Sequence, residues 1–548
     1  MKNRNLIIVL CVAVLSLVLS AFVLYTPVVS AASEGFSAVQ AAAHIAEISR
    51  APHSVLETEA AAHEDVRAYI KEQLEAYVGA ANVVETTYAA ADVASDVGED
   101  VAYDVTNLLA VIPGDSPVGI LLVAHYDSRG HIGRAGELGR SYGAADDGYG
   151  ISVLLEIARL YGDRDLTNTI YILATDAEET GLYGAHMAAQ EAFMANVGFV
   201  INLEARGVDG PAYMFETSLN NVEVLHFYRN AELPVSYSIA TAVYSVMPNL
   251  TDFTEFLAIG KQGINFAVLK GLFYYHTPND EYINIDLSSI QHYGAQIVPL
   301  VEEFVTDVAY ADVHYFEADE NAIFFTLFPN VFISYTETAG LILTIVFLLL
   351  AIALVVRLTI KKELKPLAIL KYIGVILAVL IAWGLIGVLL SKLIAWFGKT
   401  TWSLTYVRMN GTEIPVLVIL VACLADLFMH VKKSFGKAET VALMLAGIFL
   451  NLVLALATGI ALSGASFLFF VPAAVGILSL AVRTFVKNRV VEHVALAQNI
   501  LWNALIAVPL IYSLFLALTV GGLPALLVIL IIDASIWLPA VRLQLLAD

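Results

Sequence analysis

The apolar second half of the chain is the strongest constraint on what this sequence can fold into. Residues 338–548 are an almost continuous series of apolar runs, and 59% of all 548 residues are hydrophobic. Runs of about 20 apolar residues match a hydrocarbon core of about 30 Å. We therefore expect residues 338–548 to form an all-α multi-pass transmembrane domain of about seven helices. The predicted spans lie near 338–356, 367–390, 412–429, 439–462, 465–482, 494–518 and 523–543.

Residues 1–31 form a further apolar segment. Lys2 and Arg4 precede an apolar run from Leu6 to Val29. Its length of about 24 residues is enough to cross a membrane, so we expect a transmembrane anchor and eight spans in all. The small residues Val29-Ser30-Ala31-Ala32 also resemble a cleavage site, and a cleaved signal peptide is the alternative.

Charge separates the chain into two parts. Residues 31–337 hold 44 acidic and 12 basic side chains, whereas the rest of the chain holds 7 acidic and 17 basic ones. The acidic balance of residues 31–337 disfavours nucleic acid as a partner. It also disfavours adhesion of that part to anionic lipid.

The distribution of basic loops predicts an orientation in the membrane. Basic residues cluster in Arg357–Lys365, His430–Lys437 and Arg483–Arg489. By the positive-inside rule these loops and the N-terminus face the cytoplasm, so residues 31–337 face outside. The loop at 391–411 disagrees, because it contains Lys392, Lys399 and Arg408. A bacterial plasma membrane is the expected location, and the sequence leaves open whether the chain forms a homodimer.

Residues 32–315 have the pattern of an α/β domain, and residues 316–337 that of a polar and aromatic connector without firm structure. Strand-like runs alternate with helix-like runs, which predicts a mostly parallel mixed sheet sandwiched by helices. We also expect a hairpin-like turn at Pro113-Gly114-Asp115. The expected strands lie within 83–112 and at 119–124, 169–175, 197–203 and 264–269, and the expected helices within 36–79 and at 151–161, 184–195, 219–233 and 287–309.

Imidazole and carboxylate side chains follow several of these strands. The polar positions are His125, Asp127, Asp146-Asp147, Glu178-Glu179, Glu204 and His276. Ligand sites in open α/β sheets lie at the carboxyl ends of strands. Imidazole and carboxylate converging at one edge suit a hydrolytic zinc site. The cysteines, Cys11 and Cys423, lie in apolar runs, so thiolate ligands are not expected.

Amide hydrolysis at neutral pH needs an activated water and stabilisation of a tetrahedral oxyanion. Two zinc ions about 3.5–4 Å apart supply both. Such a pair needs one carboxylate shared by the metals, further histidine or carboxylate ligands on each, and a free carboxylate as general base. The residues after the predicted strands include all of these groups.

Five motifs occur in order and together resemble a known family. They are His125-Tyr-Asp127-Ser128, Gly143-Ala-x-Asp146-Asp147-x-x-Gly150, Asp176-Ala-Glu178-Glu179-x-Gly181, Asn202-Leu-Glu204 and His276-Thr-x-x-Asp280. The set is similar to the signature of the co-catalytic di-zinc exopeptidases, the family of bacterial leucyl aminopeptidase and glutamate carboxypeptidase. The resemblance covers roughly residues 36–310. Fusion to a multi-pass membrane half resembles the endoplasmic-reticulum metallopeptidase and vacuolar membrane protease branch.

The resemblance implies a zinc exopeptidase fold and a role for each motif residue. Asp146 would bridge two zinc ions, with Glu179 and His276 completing one ion and His125 and Glu204 the other. Glu178 would be the general base. Asp127 would orient the imidazole of His125, as ligating histidines require. Many family members have aspartate where this chain has Glu204, which is also a competent zinc ligand.

Each residue also has an ordinary structural interpretation. His125 or Glu204 could be a satisfied strand-end side chain, and Glu178-Glu179 an acid pair at a helix N-terminus. His276 could serve in stacking alone. Arg206 and Tyr244 are candidate substrate contacts or ordinary surface and packing residues. Asp252 is a candidate support for the site.

The sequence predicts a membrane-anchored zinc metallopeptidase that hydrolyses peptides outside the cytoplasm, with an aminopeptidase favoured over a carboxypeptidase. Peptide and the lipid bilayer are the expected partners. One alternative on the same fold is a glutaminyl-cyclase-like transferase with one zinc, or a non-catalytic receptor or chaperone relative. A transporter with an accessory domain would need broken helices or paired repeats in the membrane half, and neither is clear in the sequence.

Overall fold

The structure of this chain is a computed structural model that divides into two compact units. It describes residues 2–30, 34–132, 137–138, 140–244, 249–404, 407, 409–486 and 488–546, with the backbone alone for 2–6, 132, 137–138 and 434. Ala31, Ala32 and Arg408, which entered the predictions above, lie outside these residues. We call Tyr25–Ala322 the soluble unit, and Met1–Leu24 together with Ile323–Asp548 the helical unit.

The α-helices of both units are numbered in chain order. They are α1 (Lys2–Phe22), α2 (Ala38–Ile48), α3 (Ala60–Val78), α4 (Ala90–Val97), α5 (Gly148–Tyr161), α6 (Glu178–Gly181), α7 (Tyr183–Ala188), α8 (Val222–Tyr228), α9 (Ser238–Tyr244), α10 (Asp252–Ala258), α11 (Leu287–Thr306), α12 (Glu337–Ile360), α13 (Leu367–Phe397), α14 (Glu413–Ser434), α15 (Lys437–Ala461), α16 (Phe467–Phe485), α17 (Arg489–Leu518) and α18 (Leu523–Leu545). Short 3-10 turns lie at Ala80–Asn82, Ala192–Asn196, Tyr282–Asn284, Val308–Ala311, Ser463–Ala465 and Thr519–Gly522.

The strands are numbered in the same way. They are β1 (Val83–Tyr88), β2 (Val105–Ile112), β3 (Gly114–His125), β4 (His131–Ile132), β5 (Glu137–Leu138), β6 (Leu166–Thr175), β7 (Val197–Ala205), β8 (Asp209–Thr217), β9 (Gly263–Lys270), β10 (Ala322–Phe328) and β11 (Val331–Thr336). β4 pairs with β5, and β10 pairs with β11.

The remaining strands form one mixed sheet in the soluble unit. Their order is β1-β2-β6-β3-β7-β9-β8. The four central strands, β6, β3, β7 and β9, are parallel to one another. The flanking pairs β1–β2, β2–β6 and β8–β9 are antiparallel. The predicted α/β class with a mixed sheet is confirmed, and its parallel pairs lie at the centre.

Helices cover both faces of this sheet. On one face, Leu121 and Val123 of β3 pack in a cluster with residues of α7 and α10, such as Ala185 and Phe253. α5 and α11 pack against the sheet as well, outside this cluster. The central strand segment 120–124 is almost completely buried, as expected for a parallel strand that is covered on both faces.

Side-chain caps define where the main helices of the soluble unit begin. The carboxylate of Asp147 accepts a hydrogen bond from the backbone N–H of Gly150 at the start of α5. Asp286 accepts one from Ser289 at the start of α11. Such caps satisfy backbone donors that have no partner within the helix, and each contributes about 1 kcal/mol.

The expected hairpin at Pro113-Gly114-Asp115 is wrong. β2 and β3 follow each other directly in sequence, but β6 lies between them and pairs with both. Gly114 is needed for a different reason: a Cβ atom there would lie 2.5 Å from the backbone carbon of Asn168. The glycine therefore permits a close approach between strands and does not form a hairpin.

Other local features also differ from the sequence-based expectation, including the helix expected at 184–195, which ends at Ala188, and the unexpected helices α9 and α10. α4 separates β1 from β2, where we expected strands alone. β8 was not expected. Residues 316–337, expected to be a connector without structure, include the β10–β11 pair. The turn between these two strands holds Asn330 in the left-handed region, at φ 60°, and the side chain of Thr336 caps α12.

The helical unit contains the apolar runs of the sequence. Six helical stretches of the described chain are long and apolar enough to cross a membrane. The last of them, Arg489–Leu545, comprises α17 and α18, so each of the seven predicted spans falls on one helix from α12 to α18 to within two residues. α15 lies inside the bundle with 67% of its apolar window buried, against 11% for α13 and for α14.

The N-terminal apolar segment is also part of the helical unit. Residues 2–22 form α1, which packs against α17. The hydroxyl of Ser20 donates a hydrogen bond to the carbonyl oxygen of Ala504 at 2.9 Å. Whether this segment is a permanent anchor or a signal stays a prediction.

Close packing of the parallel strands predicts a strict requirement for glycine at position 263. A Cβ atom there would lie 2.2 Å from the carbonyl oxygen of Val200 in β7 and 2.9 Å from the Phe253 ring. Gly263→Ala should destabilise the soluble unit by about 1–3 kcal/mol, as overpacking typically does. Thermal unfolding of the purified full-length chain measures the effect. Gly35→Ala is the matched control because no atom lies within 4 Å of its Cβ position; equal melting temperatures for the two variants would contradict the prediction.

Candidate metal centre

The candidate site lies at the carboxyl edge of the four parallel strands. His125 is the last residue of β3, and Glu204 is the last but one of β7. Glu178 and Glu179 open α6, three residues after β6, and His276 follows β9. Because parallel strands all end at the same edge, residues far apart in sequence are brought together there.

One group of ligand-type side chains surrounds His125. Its Nε2 atom lies 3.4 Å from Oδ1 of Asp146 and 3.9 Å from Oε2 of Glu204. All three side chains are buried. They are one of two sets in the described chain whose ligand atoms lie within 4.8 Å of one another.

The second group surrounds His276. Its Nε2 atom lies 3.1 Å from Oδ2 of Asp146 and 3.1 Å from Oε1 of Glu179. Asp146 therefore belongs to both groups, with one carboxylate oxygen facing each histidine. The five residues expected to bind metal are thus brought together by the fold, and in the expected pairing.

These atoms fit a pair of zinc ions. Two atoms bound to one zinc at about 2.0–2.1 Å can be no more than about 4.2 Å apart, and the distances above are shorter than this limit. Nε2 of His125, Oδ2 of Asp146 and Oε1 of Glu179 are buried and make no hydrogen bond of acceptable geometry with any described residue. Buried polar atoms without partners are rare in proteins, and a bound cation would satisfy all three.

The charges of the cluster also favour a bound cation. Burial by itself would lower the pKa of His276, but the carboxylates of Glu179 and Asp146 outweigh burial and raise it to about 9. Burial raises the pKa of Asp146, yet the imidazoles of His125 and His276 beside its two oxygens outweigh burial and hold the pKa below the ordinary value. Burial raises the pKa of Glu204 well above the ordinary carboxyl value. Protons thus balance the buried charge here, and metal binding would release them.

Asp127 supports both a histidine and the turn that carries the glutamates. The Nδ1 atom of His125 lies 2.9 Å from the backbone carbonyl oxygen of Asp127 and 3.4 Å from its carboxylate. The carboxylate accepts hydrogen bonds from the backbone N–H groups of Glu178 (2.9 Å) and Glu179 (3.3 Å). The His125 ring is therefore oriented chiefly by the backbone carbonyl group of Asp127. The carboxylate of Asp127 holds the turn at the start of α6.

The two neighbouring aspartates have different surroundings. Asp147 caps α5, whereas the carboxylate of Asp146 lies between the two histidines. Asp280 accepts hydrogen bonds from the backbone N–H groups of Ala145 (2.8 Å) and Asp146 (3.3 Å), which holds this loop in place. Burial and the nearby Asp146 carboxylate raise the pKa of Asp280 to about 7.

Arg129 is a site residue that the sequence interpretation missed. Its Nη1 atom lies 3.0 Å from Oε2 of Glu179 and also donates to the Glu179 backbone carbonyl oxygen. It binds the carboxylate oxygen opposite to the one that faces His276. Arg129 thus orients Glu179. The sequence offers little signal for this contact, because a single arginine in a loop has no characteristic spacing.

The candidate substrate residues lie around the cluster. Tyr244 is half-buried, its ring packs edge-on against Phe215 with centroids 4.8 Å apart, and its buried hydroxyl makes no hydrogen bond with a described residue. The ring of Tyr275 stacks on that of His276 at 3.6 Å, and Arg206 directly follows the last residue of β7, two positions after Glu204.

Asp252 braces the sheet edge from α10. Its carboxylate accepts a hydrogen bond from the hydroxyl of Thr175, the last residue of β6. Burial raises the pKa of Asp252 to about 7, although His125 and Thr175 oppose the shift.

Residues 107–301 match the family model described as Peptidase family M28. This segment belongs to the M28 peptidases. It includes all five residues of the cluster and Glu178. The resemblance inferred from the five motifs is confirmed.

A membrane protease and a metallopeptidase are among the proteins of similar sequence. The Vacuolar membrane protease of Candida albicans is 27% identical over 283 residues, which are 50% of this chain and 31% of that protein. A Schizosaccharomyces pombe protein whose assigned name is endoplasmic reticulum metallopeptidase 1 is 29% identical over 209 residues, 37% of this chain and 25% of that protein. The matched parts thus span less than a third of either relative.

A solved structure of similar fold is a Zn-dependent exopeptidase from Parabacteroides distasonis. It is 19% identical, with a TM-score of 0.39, and the likeness covers 49% of this chain and 99% of that one.

The shared position of Asp146 predicts a specific pattern of metal loss. Asp146→Ala should reduce zinc to well below one ion per chain, because each remaining set would offer two protein ligands where catalytic zinc usually has three. His276→Ala should retain the ion beside His125 more readily, because Asp146 and Glu204 remain. Metal analysis of the purified full-length variants in a weakly chelating buffer measures both.

Asp163→Ala, at an exposed position, is the matched control and should keep the wild-type zinc content. If Asp147→Ala loses both ions while Asp146→Ala keeps them, the bridging residue is misassigned by one position. If neither Asp146→Ala nor His276→Ala loses metal, the two-zinc interpretation is wrong.

Proposed function

We propose that this chain is a membrane-anchored di-zinc metallopeptidase that removes residues from the end of peptides on the extracytoplasmic side. The observation that carries the proposal is the carboxylate of Asp146, which faces His125 and His276 from its two oxygens. A shared carboxylate offsets repulsion between two dications that neutral histidines cannot offset. The M28 match of residues 107–301 supports a peptidase.

The residue roles follow from the contacts. His125 and Glu204 would hold one zinc ion, Glu179 and His276 would hold the other, and Asp146 would contribute to both. When bound, the zinc pair supplies a water of lowered pKa and a positive charge beside the developing oxyanion. The backbone of Asp127 fixes the tautomer of His125 with Nε2 toward the cluster. Arg129 and Asp280 keep Glu179 and the Asp146 loop in position.

Glu178 is the proposed general base. It stands beside the ligand Glu179, but it does not belong to either ligand set. Burial raises the pKa of its carboxyl group well above the ordinary value, and a higher pKa strengthens the carboxylate as a proton acceptor. In its ionised form Glu178 takes the proton of the attacking water and delivers it to the leaving amine. The hydrogen bond from its backbone to Asp127 holds it in place.

Tyr244 is the proposed donor to the tetrahedral oxyanion. Its hydroxyl group is buried and makes no hydrogen bond of acceptable geometry within the described chain, although Thr251 lies near it. Burial raises the pKa of this hydroxyl, and the carboxylates of Glu216, Glu204 and Glu178 raise it further. A neutral phenol beside the cluster can donate to an oxyanion without adding charge.

The acidic surroundings favour an aminopeptidase. The zinc ions would balance the charges of the ligands, but Glu216 and Asp252 add carboxylates around the cluster. Glu216 accepts a hydrogen bond from the Asn265 amide at 2.9 Å. Burial raises the pKa of Glu216 to about 7, and a positively charged amino terminus nearby would favour its ionised form. Carboxylates near the reacting end of the peptide suit a positively charged amino terminus better than a carboxylate.

The apolar helices and the membrane-protease relatives support a membrane protein. The basic loops support a soluble unit outside the cytoplasm, with a bacterial plasma membrane as the proposed location. Within residues 31–337, acidic side chains outnumber basic ones, which supports peptide and not nucleic acid as the partner. A glutaminyl-cyclase-like enzyme with one zinc would not need the second ligand set, and that set is complete here.

Replacement of Glu178 should abolish turnover and leave zinc in place. Glu178→Gln removes the proton acceptor but no residue of either ligand set, so kcat should fall by about 10²–10⁴-fold. Aminoacyl 4-nitroanilides are the substrates, and their N-acetylated forms should not be cleaved by the wild-type chain. Zinc content is measured on the same samples.

Glu223→Gln, at the exposed end of α8, controls for the loss of a negative charge. A Glu178→Gln variant that keeps more than about a tenth of wild-type kcat would remove Glu178 from the mechanism. If the N-acetylated substrates are cleaved as fast as those with a free amino group, the aminopeptidase assignment is contradicted, but the peptidase assignment is not.

The orientation is tested by cysteine labelling in intact cells. Single cysteines replace Ser95 of the soluble unit and Lys433 at the basic end of α14, both exposed, in a chain with Cys11→Ala and Cys423→Ala. A membrane-impermeant maleimide should label position 95 and should reach position 433 only after permeabilisation. Labelling of 433 but not of 95 in intact cells would reverse the orientation.

A further inference from the structure

A cavity of about 440 Å³ lies in the helical unit where four helices end. Its lining comes from the end of α12, the start of α15, the end of α16 and the start of α17. The volume is within the range of about 300–1,000 Å³ that is typical of small-molecule sites. It is far from the soluble unit in sequence, and the proposed peptidase chemistry does not use it.

Three basic stretches that are separate in sequence, and that the sequence analysis placed in loops, each contribute one cation from a helix end to this cavity. Lys361 comes from the loop Arg357–Lys365, Lys437 from His430–Lys437, and Arg483 from Arg483–Arg489. These are the loops that the positive-inside rule assigns to the cytoplasm. That rule needs only basic residues on one side of the membrane and does not require one from each loop to line the same cavity. Their convergence is therefore a property of the fold.

The lining has three cationic side chains and two carboxylates. Some of the cationic N–H groups are available to bind a ligand. Nε of Arg483 lies 3.0 Å from Oε1 of Glu492, so this contact engages Nε and leaves the terminal nitrogens of the guanidinium for another acceptor. Lys361 donates to the carbonyl oxygen of Thr484 at 3.4 Å, which places its ammonium group at the cavity. The second carboxylate, Glu363, is exposed to solvent.

We propose that this cavity binds a phosphate group, carried by the headgroup of an anionic phospholipid. The terminal nitrogens of a guanidinium match two phosphate oxygens, and lysine ammonium groups add point charges. Basic pockets between membrane helices on the cytoplasmic side are known binding sites for anionic headgroups.

The rest of the lining favours a lipid over a free anion. Leu358, Val441 and Leu480 contribute an apolar wall next to the charged groups. An inorganic phosphate would be poorly matched to that wall, whereas the glycerol and first acyl carbons of a phospholipid would cover it. The cavity also lies at the ends of apolar helices, which is the depth of the headgroup layer.

Native mass spectrometry of the purified full-length chain in detergent tests the proposal. The chain is titrated with dioleoylphosphatidylglycerol, with dioleoylphosphatidylcholine and with inorganic phosphate. Lys361→Gln/Lys437→Gln should weaken binding of the first phosphatidylglycerol molecule by about tenfold or more, because each lysine near an anionic headgroup contributes substantially to binding. Lys432→Gln/Lys433→Gln is the matched control, since it removes two charges from the basic last turn of α14, outside the cavity lining.

The outcomes distinguish three cases: a site for a lipid headgroup, a site for a free anion, and no site in this cavity. The proposal holds if the cavity variant loses phosphatidylglycerol affinity and the control keeps it within about twofold. Equal affinity in the cavity variant and the control overturns it. If millimolar inorganic phosphate displaces phosphatidylglycerol from the wild-type chain, the phosphate chemistry stands and the lipid as its carrier is overturned. Gel filtration and unchanged 4-nitroanilide turnover show that the variants are folded.

Discussion

The parallel alignment of β6, β3, β7 and β9 is the constraint on which the candidate metal centre depends. It makes four strands end at one edge, so that side chains more than 150 positions apart, such as His125 and His276, approach the same carboxylate. The same arrangement confines several buried carboxylates to a small volume, where they repel one another. The fold thus assembles a strongly negative cluster that is stable only with cations or protons, and hydrolytic metal chemistry uses that property.

The candidate site could be predicted because its residues follow apolar strands, and strand ends are visible in a sequence. Asp146 could be separated from Asp147 only with the motif context, and their contacts now give the physical difference between a helix cap and a shared carboxylate. Arg129 could not be predicted, because its contact with Glu179 depends on the path of a loop. The use of the Asp127 backbone, in place of its side chain, to orient His125 likewise depends on local geometry.

The fold was predictable to different degrees in the two units. Apolar length alone identified the spans of the helical unit, since lipid imposes a minimum length on any helix that crosses it. Which helix is interior could not be inferred, because helices in lipid lack a polar face that would mark the exposed side. In the soluble unit, the local pattern identified strands but not their order, because β6 inserts between β2 and β3. Gly114 permits this long-range pairing, but a single glycine in the sequence does not predict it.

The cap of α5 has a consequence for how long the protein persists in a cell. Asp147, which begins this helix, adjoins the carboxylate shared by both ligand sets. A ligand that binds only the folded state stabilises it in proportion to the logarithm of its free concentration. Zinc bound at Asp146 would thereby stabilise the folded state to which α5 and the loop before it belong. The steady-state amount of the protein would then depend on the free zinc concentration in its compartment, even at a constant rate of synthesis.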